Sequence, residues 1–178
     1  MANQNPDLNV EYEGEVGTNL QQAENGFVAS AKLRESLQQV LVDFVDLSLV
    51  GKQAHWNIVG PNFRDLHLNL DEIVNIARAG TDDFAERMRA IHSAPDGRTK
   101  EVAARSSLPE FAAGEISTHD AIRLMVQSIE ATVATMRRVH DDVDSEDPTS
   151  ADLLHGYISQ LEQQAWFLSA ELRTPTGI

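Results

Sequence analysis

Residues 30–91 read SAKLRESLQQVLVDFVDLSLVGKQAHWNIVGPNFRDLHLNLDEIVNIARAGTDDFAERMRAI, and the fold is decided here. Leu33, Leu37, Val40, Leu41, Phe44 and Leu47 recur at helical spacing and make one apolar face. The period predicts a helix from Ser30 to about Asn57, ended before the breaker pair Gly60-Pro61. A second helix is predicted from about Asn62 to Ile91, with Leu66, Leu70, Ile73, Ala77, Phe84 and Met88 as its apolar stripe. Two long amphipathic helices joined by a tight turn form a helical hairpin.

Outward from this hairpin the pattern continues. Ser93 to Ser117 contains Pro95, Asp96-Gly97, Pro109 and Gly114, and reads as a long crossover with a short helix near Glu101–Arg105. A third long helix should begin at Ser117 or Thr118 as N-cap, with core positions Ile122, Met125, Val126, Ile129, Val133, Met136 and Val139. The acidic stretch Asp141 to Asp147 and Pro148 end it. Leu153, Leu154, Tyr157, Ile158, Leu161, Ala165, Leu168 and Leu172 mark a fourth. There is no strand pattern and no internal repeat. The fold class expected is all-α: a ferritin-like four-helix bundle, up-down-down-up, with a long middle crossover carrying a short helix. The bundle should span residues 30–173, between an acidic, flexible tail (1–29) and a short C-terminal tail (174–178).

Composition removes several classes of function. The chain has 178 residues, net charge −14 and no cysteine, which excludes disulfides, zinc–thiolate sites and thiol catalysis. No apolar run reaches the roughly 18 residues of a membrane span, and the first residues lack a signal-peptide pattern. The cytoplasm is therefore the expected compartment, with nucleoid association a secondary one. The first basic residue is Lys32, preceded by Asp7, Glu11, Glu13, Glu15 and Glu24, and the segment after Arg173 adds no positive charge. Such ends argue against DNA binding unless a cation bridges them.

Chemistry-bearing residues line one side of the second helix. With His67 at 0°, Asp71 falls at about 40°, Asp82 at about 60° and Glu86 at about 100°, while the apolar stripe centres near 270°. Singly, such residues are ordinary on a solvated helix; four on one stripe suggest metal ligation. Asp71 and Asp82 lie roughly 16 Å apart along the axis. They cannot share one ion within a chain, because ligand bonds are about 2.0–2.2 Å long. Either the stripe holds separate weak sites, or two copies of the helix meet antiparallel across a two-fold axis. In the second case His67 and Asp71 of one subunit lie beside Asp82 and Glu86 of the other. Ala77, Ala79 and Gly80 at the midpoint would permit close approach, and His55 adds a nitrogen if the Gly60-Pro61 turn folds it back. Imidazole and carboxylate ligands suit iron, although zinc or another divalent metal could substitute.

The segment Lys52-Gln53-Ala54-His55-Trp56-Asn57-Ile58-Val59-Gly60-Pro61-Asn62-Phe63, followed by Leu66-His67 and Asp71-Glu72, resembles the signature of the Dps family and is similar to its actinobacterial members. The resemblance covers about Ala31 to Arg173. It implies a dodecamer with ferroxidase sites at two-fold interfaces, each site built from His55, His67 and Asp71 of one subunit and Asp82 and Glu86 of its mate. It also implies that ferrous iron, about two ions per site, is oxidised with hydrogen peroxide in preference to oxygen and stored as ferric oxyhydroxide. Asp152, and with it Asp147, match a region that lines cation-drawing pores in such shells. Trp56 beside the site is a candidate radical quencher, with packing as its plainer role. An in-bundle ferritin site is not expected: the acid–histidine pair Asp152/His155 has no partner set on the first helix. Rival readings are a DNA-protecting nucleoid protein and a metal-dependent hydrolase. The second needs an open substrate cleft.

Overall fold

The structure, a computed structural model, describes residues 26–175. Five helices and one small bridge follow in order: α1 (Ala31–Asn57), β1 (Ile58–Val59), α2 (Phe63–Ala90), α3 (Thr99–Arg105), β2 (Ile116–Ser117), α4 (Thr118–Glu146) and α5 (Pro148–Leu172). Helix α1 packs on α2 and α4, and α5 packs on α4 and α2, closing a four-helix bundle. The crossover carries α3 along the outside of α1. The expected architecture is the observed one.

Local chemistry accounts for the boundaries. Ser30 caps α1 by accepting from the Leu33 N–H at 3.1 Å, and Ser117 caps α4 by accepting from the Asp120 N–H at 3.1 Å. Pro148 stands at the start of α5, where its missing N–H costs nothing. Between α1 and α2 the turn needs left-handed backbone at Gly60 (φ 127°) and Asn62 (φ 56°), conformations that glycine and asparagine tolerate. The tail expected over 1–29 falls mostly on residues outside those described. Ala29, however, is buried and donates its N–H to the Ile91 carbonyl at 3.2 Å, so packing begins just before α1.

Three features differ from the sequence reading. A two-residue parallel bridge pairs Ile58 with Ile116 and Val59 with Ser117. It was invisible because two residues carry no alternation; its driving force is the burial of Ile58 and Ile116. The acidic stretch is not a loop. Asp141, Asp142, Asp144 and Glu146 all lie within α4. Val139 and Val143 extend the buried face through that turn, while Lys32 pairs with Asp142 and Ser30 donates to Glu146.

The third difference concerns the small residues of α2. Ala77 and Gly80 face their own bundle, and only Ala79 is exposed. The space at Gly80 is taken by the Phe44 ring, which would lie 2.4 Å from a Cβ placed there. Phe44 in turn packs with Phe84 and Tyr157 at ring-centroid distances of 5.4 and 5.2 Å. Gly80→Ala should therefore destabilise the fold by about 1–3 kcal/mol through overpacking, even though alanine is the better helix former. Chemical denaturation of both proteins tests this; a more stable Gly80→Ala would show that the ring moves freely.

Candidate metal centre

The α1–α2 turn brings the last turn of α1 against the first turns of α2. His55 is buried and His67 half-buried, and their rings stack at 3.6 Å between centroids with 28° between planes. Each Nδ1 lies 3.1 Å from the other histidine's backbone carbonyl. A carbonyl can only accept, so both Nδ1 atoms carry the proton and each Nε2 keeps its lone pair, the tautomer a metal requires. Asp71 lies one turn beyond His67, with its carboxylate 3.3 Å from the His55 Nδ1. Together His55, His67 and Asp71 are the one group of three among the described residues whose ligand atoms lie within 4.8 Å of one another.

Lys52 was not foreseen as part of this group. Its Nζ is 2.5 Å from Asp71, and this hydrogen bond holds the Asp71 carboxyl below the usual carboxylate range. Partial burial opposes the shift, while the two imidazoles favour it only when protonated. The resident ammonium thus supplies the positive charge that an arriving cation would otherwise bring. The available signal was spacing, since Lys52 precedes His55 by one helical turn.

Asp82 and Glu86 are not part of this cluster. Both are exposed further along α2, on the side away from the bundle core. Their neighbour Asp83 accepts from the Tyr157 hydroxyl, whose phenol is pushed well above its ordinary value by burial and by that carboxylate. Exposed apolar side chains flank this turn: Phe63, 45% exposed, is set 5.3 Å from the His67 ring, and Trp56 and Leu49 on α1 are 71% and 55% exposed. Most of the Trp56 side chain is thus uncovered in the single subunit.

The two acidic residues read as pore candidates part company. Asp152 is exposed on α5. Asp147 is buried and accepts from Arg87 Nη2 at 2.7 and 2.8 Å and from the Ser150 hydroxyl, so it is no free carboxylate for passing cations. Among the remaining histidines, His119 is exposed and His140 half-buried. No helix among the described residues is long and apolar enough to cross a membrane.

Comparison with known proteins places this geometry. Residues 34–177 match the model of the ferritin-like domain. The chain is 30% identical over 138 residues to the "DNA protection during starvation protein" of Agrobacterium fabrum, covering 77% of this chain and 85% of the relative. It is 33% identical over 145 residues to the "fine tangled pili major subunit" of Haemophilus ducreyi, covering 82% and 77%. Among solved structures, the Dps of Microbacterium arborescens in its high iron form superposes with a TM-score of 0.76 at 30% identity, over 83% of this chain and 99% of that one. Helix order, the histidine-bearing turn and these matches together make the chain a member of the ferritin-like family and, within it, of the Dps proteins.

Proposed function

We propose that this protein is a ferroxidase and iron store that works across a two-fold subunit interface. The observation that carries the reading is the half-complete cluster: two imidazoles and one carboxylate converge, and no further carboxylate joins them among the described residues. Exposed Asp82 and Glu86 lie on the same stripe of α2, roughly 16 Å along it. An antiparallel α2–α2 contact supplies Asp82 and Glu86 of the partner subunit to His55, His67 and Asp71, twice per dimer. The apolar collar of Trp56, Leu49 and Phe63 is the surface such a contact would cover.

In this scheme ferrous iron is the substrate. Two ferrous ions each give one electron to one peroxide, which takes up two protons and leaves as two waters. Because both electrons arrive together, no hydroxyl radical is released. The lone-pair Nε2 atoms and the carboxylates bind the ions, and Lys52 yields Asp71 as cationic charge arrives. Ferric product is stored as oxyhydroxide inside a closed homo-oligomer, expected to be a dodecamer in the cytoplasm. Asp152 stands at the proposed entry pore, and Trp56 is placed to intercept stray radicals. DNA protection, the property in several relatives' names, is the second reading. It is disfavoured by the net charge of −14 and by the lack of any basic residue before Lys32.

Anaerobic loading of Fe²⁺ followed by peroxide, with ferric absorbance recorded, tests the proposal. Wild type should oxidise about two irons per peroxide. Asp82→Ala/Glu86→Ala should be slower by roughly 100-fold or more, since losing ligands outright exceeds the usual 10–100-fold effect of losing their supports. Equal rates in the two proteins would reduce the stripe to a charged surface.

A further inference from the structure

Away from the α1–α2 turn, a second pair of histidines meets where α4 and α5 run back along each other. Asp147 is the hinge of that hairpin. His140 precedes it and His155 follows it by about two helical turns each, so the two rings come level on adjacent helices. Their centroids are 4.5 Å apart with 33° between planes. They line a cleft of about 230 Å³ with Arg137, Asp141 and Ile158.

The protonation pattern within this pair is set by its neighbours. The His140 Nδ1 lies 2.9 Å from the Asp141 carboxylate, which can only accept, so Nδ1 carries the proton. The lone pair of the neutral ring is then on Nε2. That atom is buried and without a hydrogen-bond partner, the only such side-chain atom among the described residues. Native proteins leave few polar atoms in this state, and those they leave usually await a water or an ion. At His155 the Asp152 carboxylate lies 4.0 Å from Nδ1, beyond hydrogen-bond range but on the same side of the ring. A carboxylate behind Nδ1 and a free Nε2 in front is how metal-binding imidazoles are oriented.

Charge and mobility favour a cation. Asp141 and Asp152 are almost fully exposed, at 103% and 88% for their side chains, and face only the two imidazoles, so they leave the rim of the cleft negative. The one positive group in the cleft, Arg137, is already paired with Glu162. The His155 side chain is 60% exposed, with solvent on its outer side into which it can rotate, whereas His140 is only 24% exposed and bonded to Asp141. Rotation of His155 would exchange ring-on-ring contact for two nitrogens facing one point.

We propose that His140 and His155 form a second, intrasubunit metal site that takes a borderline divalent cation of the zinc or cobalt class. Two imidazoles without thiolates select this class over calcium or magnesium, and water completes the coordination. The site shares no residue with the α1–α2 cluster; Asp152, behind His155, is the residue set at the proposed entry pore, but the metal ligands are His140 and His155 alone. Its effect is to pin α4 to α5 close to the hinge.

The test is titration of the full-length, metal-free protein with Co²⁺, followed by visible absorption and calorimetry, in wild type and in His155→Ala. Residue 155 is exposed, so the variant should fold normally. One Co²⁺ per subunit should be lost, or bound at least tenfold more weakly, while binding at His55 and His67 persists. Unchanged stoichiometry and affinity in His155→Ala would overturn the proposal. A second measurement uses wild type alone: one equivalent of Zn²⁺ beyond saturation of the first site should slow diethyl pyrocarbonate modification of His155 at least fivefold, while exposed His119 stays equally reactive. Equal reactivity of His155 with and without Zn²⁺ would also overturn it.

Discussion

Mixing two inactive variants should restore ferroxidation. In His67→Ala the imidazole half of every interfacial site is broken, and in Asp82→Ala/Glu86→Ala the acidic half is broken. If each site draws one half from each of two subunits, a mixed dimer has one site with both defects and one with neither. Random co-assembly makes half of the dimers mixed, so about a quarter of all sites are intact. The mixture should therefore oxidise iron at about a quarter of the wild-type rate, roughly 25-fold above either parent if each parent is reduced about 100-fold. The experiment is co-refolding of the two variants followed by stopped-flow ferric absorbance. Were all five residues to act within one chain, the mixture would stay as slow as its parents. No other outcome separates a shared site from a private one so directly.

Asp147→Ala should be the most damaging single change outside the site. The carboxylate ties the α4–α5 hinge to Arg87 on α2 by a forked ion pair, with side-chain exposures of 8% for Asp147 and 22% for Arg87. Removing one partner leaves an unpaired, largely buried charge, a loss of about 3–5 kcal/mol. For a chain of this size that corresponds to a fall in Tm of roughly 10 °C, measured at fixed protein concentration. Arg87→Ala should cost a similar amount, and the double replacement less than the sum of the two. Burial raises the Asp147 carboxyl, but the hydrogen bonds from Arg87 and Ser150 outweigh it and leave the group below the usual carboxylate range. A carboxyl depressed on folding stabilises the native state above its unfolded value of about 3.9 and ceases to do so as pH falls through the folded value. The gap between wild type and Asp147→Ala should thus be full at neutral pH and narrow below about pH 4. A Tm change under about 2 °C at pH 7 would demote the pair to a surface contact.

The difference between what was readable and what was not follows from the range of each interaction. Helices α1, α2, α4 and α5 were legible because each buries a stripe repeated over many turns. The His55–His67–Asp71 cluster was legible because only a short turn separates its members, so helical geometry nearly fixes their meeting. Asp147 was misread as a free acid because its partner Arg87 is 60 residues away and nothing local announces it. Gly80 was misread for the same reason: its neighbour Phe44 belongs to another helix. The meeting of His140 with His155 has no local signal either, since the α4–α5 hairpin alone brings the two rings level. Asp82 and Glu86 occupy the predicted stripe; the role proposed for them needs a second chain, and one chain's periodicity does not say how two copies meet.

The β1–β2 bridge has a consequence beyond two pairs of residues. It fastens the turn after His55 to the start of α4, across the whole length of the crossover. A free hairpin tip would fluctuate and would have to be ordered each time an ion arrived. Here that ordering entropy is met once, when the chain folds, and the imidazoles wait in a preorganised frame. In the proposed site, capture of a cation would then ask only side chains such as Lys52 to move, and its release would leave the backbone frame unchanged. A centre built this way is suited to passing many ions in succession instead of holding one.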